Sequence, residues 1–211
     1  MSGIVFSNVD GTAIDLNDMT FENLTSGDEA NNADKIQVWD PATSGYTTFF
    51  NYNLEGDEES WGWWDENFEV DPVLPVGTAF WYKAKAGNGK AMTHSGAVES
   101  DTDVTVAITG GKFNMVINPY PTTIDLNDDS TVEFTNLTSG DEANNADKIQ
   151  VWDSATSGYT TFFNYNLEGD EESWGWWDEN FEVDPVLPAG TAFWYKAKAG
   201  SGKAITFKKT Y

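Results

Sequence analysis

The residues with chemistry to offer are carboxylates and indole rings, and they lie side by side. The run Asp57-Glu58-Glu59-Ser60-Trp61-Gly62-Trp63-Trp64-Asp65-Glu66 flanks three tryptophans with acids, and Trp174, Trp176 and Trp177 stand in the same setting further on. An exposed indole offers a flat π-face to the C–H face of a sugar ring, and a nearby carboxylate accepts hydrogen bonds from its hydroxyls. Trp61, Trp63, Trp64, Trp174, Trp176 and Trp177 are therefore candidate glycan-contacting or interface aromatics. The competing assignment is the core. Neighbours in a strand face opposite sides, so Trp63 and Trp64 cannot both point inwards.

Paired carboxylates are also what a glycosidase needs, at a defined separation. Here acids are so abundant that no pair stands out. His94 is the only histidine, and where the sequence around it recurs, Phe207 stands in its place. No Ser, Asp or Glu spacing recommends it as a general base, so it reads as a surface or edge-strand residue. The absence of cysteine removes disulfides, thiolate zinc sites and cysteine nucleophiles. The expectation is a protein that is not an enzyme and requires no cofactor.

Calcium is the ion the side chains could take. Asp125, Asn127, Asp128 and Asp129 carry oxygen donors at close spacing, as do Asp15, Asn17 and Asp18. Neither run matches the EF-hand loop, which also needs a glycine and a distant glutamate. Asp28-Glu29 and Asp57-Glu58-Glu59 are further candidates; the competing reading of all of them is solvated loop. Asn23-Leu24-Thr25 and Asn136-Leu137-Thr138 match the glycosylation sequon, a pattern common by chance.

These residues are positioned by a chain that contains one stretch twice. Residues 21–93 recur as 134–206 with five substitutions: Glu22 to Thr135, Pro41 to Ser154, Val76 to Ala189, Asn88 to Ser201 and Met92 to Ile205. Repetition on this scale outranks any local motif as a guide to architecture. It divides the chain into unit one, 1–99, and unit two, 100–211, each large enough for a core of its own. Val, Thr, Tyr, Phe and Trp are frequent, Gly is scattered, and helical apolar periodicity is lacking, which is β composition. Lys35-Ile36-Gln37-Val38-Trp39 alternates and Tyr46-Thr47-Thr48-Phe49-Phe50-Asn51-Tyr52 is aromatic and β-branched. The turn residues between them predict a hairpin. Further strands are expected at 5–8, 77–85 and 104–109. The fold class predicted is all-β, two tandem near-identical sandwich-like domains.

A formal charge of −24 makes nucleic acid an improbable partner, because binding there depends on neutralising phosphates with Lys and Arg. Anionic membrane surfaces are disfavoured for the same reason, and no apolar run is long enough for a membrane span. Met1-Ser2-Gly3-Ile4 shows neither the charged nor the apolar region of a signal peptide.

The stretch Phe113-Asn114-Met115-Val116-Ile117-Asn118-Pro119-Tyr120-Pro121, followed by Ile124-Asp125-Leu126, resembles a recurring element of tandem β-sandwich repeat modules in bacterial secreted and cell-surface proteins. Its usual form there is Trp-Asn-Leu-Ile/Val-Gly/Ser-Asn-Pro-Tyr/Phe-Pro. The Lys-Ile-Gln-Val-Trp and Gly-Thr-Ala-Phe-Trp segments are similar to those modules too, in the part of the repeat C-terminal to that element. Unit one departs from the pattern, with Val9-Asp10-Gly11 where Pro-Tyr-Pro would stand. The resemblance implies an extracellular or cell-surface β-sandwich with a structural or adhesive task, and it implies no catalytic residues.

The two units are unequal at their ends. Unit two opens with the expected strand 104–109, ahead of the recurring stretch, whereas unit one starts at Met1 with nothing equivalent. If 104–109 pairs into unit two, the matching sheet edge in unit one is a template for a strand from another chain. Lys203, Lys208 and Lys209 crowd the last strand, while Asp10, Asp15 and Asp18 lie near the start. Val5, Phe6, Lys203, Ile205, Phe207, Lys208 and Lys209 are thus candidate interface residues in a head-to-tail homo-oligomer or filament. The expected function is a self-associating structural subunit; the alternative is a bivalent carbohydrate-binding or adhesin module.

Overall fold

The computed structural model describes residues 13–56, 61–75, 78–87, 89–93, 102–153, 155–168 and 174–210. The expected strand at 5–8, with Val5 and Phe6, lies outside them, as do His94 and the acids 57–59. The described residues are all-β, with short 3₁₀ turns and no α-helix.

In chain order the first copy supplies β1 (Ile14–Asp15), β2 (Thr20–Glu22), β3 (Lys35–Asp40), β4 (Gly45–Tyr52), β5 (Gly62–Asp65), β6 (Val73–Leu74), β7 (Phe80–Lys83) and β8 (Ala91–Thr93). The second supplies β9 (Val104–Ile108), β10 (Phe113–Ile117), β11 (Ile124–Asp125), β12 (Val132–Thr135), β13 (Lys148–Asp153), β14 (Gly158–Tyr165), β15 (Gly175–Asp178), β16 (Val186–Leu187), β17 (Ala192–Lys196) and β18 (Lys203–Phe207). The predicted hairpin is β3–β4, closed with Asp40 opposite Gly45. The Asp40 carboxylate accepts from the Ala42 amide (2.9 Å) and the Thr43 hydroxyl (2.7 Å), which fixes the turn.

The large sheet of the first copy runs β5-β4-β3-β7, and that of the second runs β10-β17-β13-β14-β15. Small sheets, β1-β6 and β2-β8 in the first copy and β11-β16 and β12-β18-β9 in the second, carry the opposing layer. Alternation along the strands decides what each core receives. Ile36, Phe49, Trp63, Phe80 and Tyr82 point from the large sheet onto Ile14, Leu16, Met19 and Leu74. Ile149, Phe162, Trp176, Phe193 and Tyr195 do the same over Ile124, Leu126, Val132, Ile205 and Phe207. Each core draws its residues from one copy alone.

The C-terminal strand corrects an expectation. β18 is not an edge: it lies between β12 and β9, hydrogen-bonded on both sides. Ile205 and Phe207 are core residues, and Lys203 is 3% exposed. Its ammonium is 2.8 Å from Asp147 and also donates to Asn136 O and Thr138 Oγ1. Lys208 is spanned by Asp103 and Glu133. The expected pairing of this stretch into unit two is made by β9, which lies against β18 and so covers the C-terminal strand expected to supply the basic half of a head-to-tail contact.

Candidate functional site

Trp63 and Trp176, at 2% and 1% exposure, are core residues and out of reach of any ligand. Phe21 tilts over Trp63 at 5.0 Å, and Phe134 over Trp176 at 4.9 Å. Trp64 and Trp177 take the other face, packed with Phe50 and Tyr52, or Phe163 and Tyr165, under Phe68 and Phe181. Trp61 and Trp174 are exposed at 47%, each donating its indole N–H to a loop carbonyl, Leu54 O or Leu167 O, at 2.9 Å. The cluster of six therefore separates into core, sheet cover and solvent: alternation along β5 and β15 parts Trp63 from Trp64 and Trp176 from Trp177, while Trp61 and Trp174 lie just before those strands.

The calcium candidates are occupied with turn geometry. Asp15 Oδ1 accepts from the Asn17 amide and Asp125 Oδ1 from the Asn127 amide, both at 2.9 Å. Asn17 Oδ1 accepts from Trp63 N at 2.7 Å, and Asn127 Oδ1 from Trp176 N at 2.6 Å. Asp128 Oδ1 caps the Ser130 amide. Asp18 and Asp129 complete these turns in sequence, and among the described residues no three acidic, His or Cys groups converge as a metal site. Both sequon side chains are also engaged: Asn23 Nδ2 donates to Gly89 O and Asn136 Nδ2 to Gly202 O.

What the fold does assemble is an aromatic cleft between the two copies. On the outward face of the first large sheet, Trp81 pairs with Gln37, and Trp39 with Tyr46. The second sheet presents Trp194, Gln150, Trp152 and Tyr159 in the same register. The two faces meet: Trp39 and Trp194 stand at 88° with centroids 5.3 Å apart, and Trp39 Nε1 donates to Phe113 O at 2.6 Å. Lys112 Nζ reaches Ser44 Oγ across the same junction at 3.1 Å. Between them lies a cavity of about 290 Å³ lined by Gln37, Tyr46, Trp81, Trp152, Tyr159 and Trp194. A second lobe of about 240 Å³ adds Trp39, Phe113 and Gln150.

The polar edge of this cleft is sparse and directed. Gln37 Nε2 donates to Thr48 Oγ1 at 3.3 Å and Gln150 Nε2 to Thr161 Oγ1 at 3.2 Å, which ties each amide to its cross-strand neighbour. Burial raises the Tyr46 phenol above its ordinary pKa, against a hydrogen bond with Trp81 that works the other way, so it remains a neutral donor at physiological pH. Comparison with protein-family models, curated proteins and solved structures gives no match. The chemistry must be read from the cleft itself. Among its described lining residues there is no carboxylate, histidine, serine or threonine. The lining can stack on a flat or C–H-rich surface and exchange hydrogen bonds with it.

The sequence held a signal for this cleft in the alternation Lys35-Ile36-Gln37-Val38-Trp39, which puts Gln37 and Trp39 on one face. It held no signal that the opposite copy would cover that face.

Each copy also encloses a buried ion pair. Lys90 Nζ lies 2.7 Å from Asp34 and also donates to Asn23 O and Thr25 Oγ1. Burial works against ionisation of Asp34. Hydrogen bonds from Lys90, Thr25 N, Lys85 N and Tyr82 OH outweigh it and hold the carboxyl below its usual range. Burial and the same carboxylate push the Tyr82 phenol up. With its ammonium and carboxylate each satisfied, this group ties loop 23–34 to β7 and β8; it is scaffold.

Proposed function

We propose that this chain is a non-catalytic carbohydrate-binding module whose site is the cleft between its two copies. The single observation that carries the reading is the cavity walled by Trp81, Trp152, Trp194, Tyr46 and Tyr159 with Gln37 at its edge. Small-ligand sites are mostly apolar concavities with a few directed polar groups, roughly 300–1,000 Å³ in volume, so about 290 Å³ suits roughly one or two sugar rings. Pyranose rings have an apolar C–H face for the indoles and equatorial hydroxyls for the glutamines and tyrosines. The want of an acid pair among the described lining residues speaks for holding a sugar rather than cleaving it.

Duplication then has a physical purpose: one copy supplies one wall, and the cleft needs both. This differs from bivalency, in which each copy would carry a complete site. An extracellular or cell-surface location goes with this reading and is supported by the resemblance of residues 113–126 to secreted repeat modules.

A glycan array followed by calorimetric titration of the best hit tests the proposal. Binding should show one site per chain, with a change in the fluorescence of the cleft tryptophans. Trp81→Ala or Trp194→Ala should abolish it, and Trp61→Ala should not. An array without hits, together with a mass that rises with concentration in light scattering, would overturn it in favour of a cleft filled by a second copy.

A further inference from the structure

The chain carries 35 acidic residues and 11 cationic ones, every one of the latter a lysine. Lys90, Lys203 and Lys208 are spent on carboxylates. Among the described residues, Lys35, Lys83, Lys148 and Lys196 have no carboxylate within ion-pair distance, although the chain is crowded with acids. Instead they face one another: Lys35 lies directly opposite Lys83 across β3 and β7, and Lys148 opposite Lys196 across β13 and β17. Like charges facing across a strand pair are destabilising, and the arrangement occurs in both copies.

Their place on the sheet gives the arrangement a use. Lys35 and Lys83 stand two residues from Gln37 and Trp81 on the same outward face, a step of about 7 Å along the strands. Lys148 and Lys196 are placed in the same way beside Gln150 and Trp194. Lys196 Nζ sits 4.9 Å from the centre of the Phe113 ring, itself part of the cleft wall. A cavity of about 160 Å³ opens between Lys35, Lys83 and Lys85, with Asn31 at its edge, where Asn31 Oδ1 accepts from Lys35 Nζ at 3.2 Å. Burial, and then the charge of Lys196, lower the pKa of Lys148; Glu179 partly offsets them and Lys198 adds to the lowering. The aromatic platform thus ends, in each copy, at a pair of ammonium groups that no carboxylate among the described residues contacts, one sugar's reach away.

We infer that the sugar held by the cleft is anionic, a glycan whose carboxylate or sulfate groups are received by the Lys35–Lys83 and Lys148–Lys196 pairs. This rests on the carbohydrate reading of the cleft and names its substrate class. The overall charge of −24 opposes a polyanion at long range, but that repulsion is screened beyond about 8–10 Å in physiological salt. The lysine pairs act within contact distance.

The test uses three probes on the intact chain: oligogalacturonate, its fully methyl-esterified form, and a sulfated oligosaccharide of similar length. The ester keeps the sugar rings and linkages of the acid and replaces each carboxylate by a neutral methyl ester. The acid should bind roughly five- to tenfold more tightly than the ester, the gain expected of one or two exposed ion pairs. The quadruple variant Lys35→Gln, Lys83→Gln, Lys148→Gln, Lys196→Gln should erase that difference and leave ester binding unchanged. Tight binding of the sulfated probe alone would assign the pairs to sulfate, and of the acid alone to carboxylate. Equal affinity of acid and ester, with the cleft variants still defective, would overturn the charge assignment and leave the carbohydrate reading standing. Failure of all three probes while a neutral glycan binds would do the same. Failure of every glycan would overturn both.

Discussion

Trp39 of the first copy stands edge-on to Trp194 of the second, centroids 5.3 Å apart and rings at 88°, and through its N–H it is bonded to the carbonyl of Phe113. One side chain thereby makes both a favoured aromatic geometry and a directed hydrogen bond across the junction of the two copies. Trp39→Phe keeps a ring there and removes the hydrogen bond, at a cost of about 0.5–1.5 kcal/mol. Trp39→Ala removes both and should split the thermal transition into two, since each core belongs to one copy. Differential scanning calorimetry of the three proteins decides this: a single unchanged transition in Trp39→Ala would mean the junction does not depend on Trp39.

The buried ion pairs should dominate stability. Lys90→Met leaves Asp34 charged beneath the surface with its strongest partner gone, and Lys203→Met does the same to Asp147. Breaking one side of such a pair costs about 3–5 kcal/mol. Urea denaturation should show a loss of that order, several times that of Lys85→Met, whose side chain lies at the surface.

Acid should unfold the protein through a small set of carboxylates. Asp65 accepts from the amides of Asn67, Glu69 and Val70, and Asp178 from those of Asn180, Glu182 and Val183. Burial works against their ionisation, but these amides outweigh it and set both pKa values below the ordinary one, as happens for Asp34. The unfolded state therefore binds more protons than the native state in acid. The stability from these groups is fully present above the ordinary value of about 3.9 and is lost as pH falls through the depressed native values. Melting temperature should hold between pH 7 and 5 and fall below about 4. Asp65→Asn with Asp178→Asn should flatten that fall.

Gly62 holds a place that no other residue fits. Its φ is +144°, and a Cβ there would lie 2.6 Å from Asn17 Oδ1, the atom that accepts from Trp63 N. Gly62→Ala must displace Asn17 as well as strain the backbone, costing roughly 1–3 kcal/mol. Gly175→Ala should match it through Asn127, whereas Gly56→Ala, with open space around it, should lose only the cost of its positive φ. Equal losses at Gly56 and Gly62 in chemical denaturation would remove Asn17 from the account.

Much of this architecture was written into the sequence. The doubled stretch, the β composition and the turn chemistry of residues 40–45 determine the repeat, the all-β class and the β3–β4 hairpin, because strand alternation and turn residues act over a few positions. The same alternation requires that Trp63 and Trp64 part company. Which faced the core was decided by register and packing: Trp63 sits opposite Asn51 and Trp64 opposite Phe50 on the preceding strand β4, and Trp63 lands among Ile14, Leu16 and Phe80, residues far from it in the chain. The central place of β18 was decided likewise, because strand order depends on contacts between residues 104–108 and 203–207 that no local pattern encodes. The cleft is the plainest case. Trp39, Trp81, Trp152 and Trp194 lie in four separate strands, and only the packing of one sheet's outer face against the other's makes them the walls of one cavity.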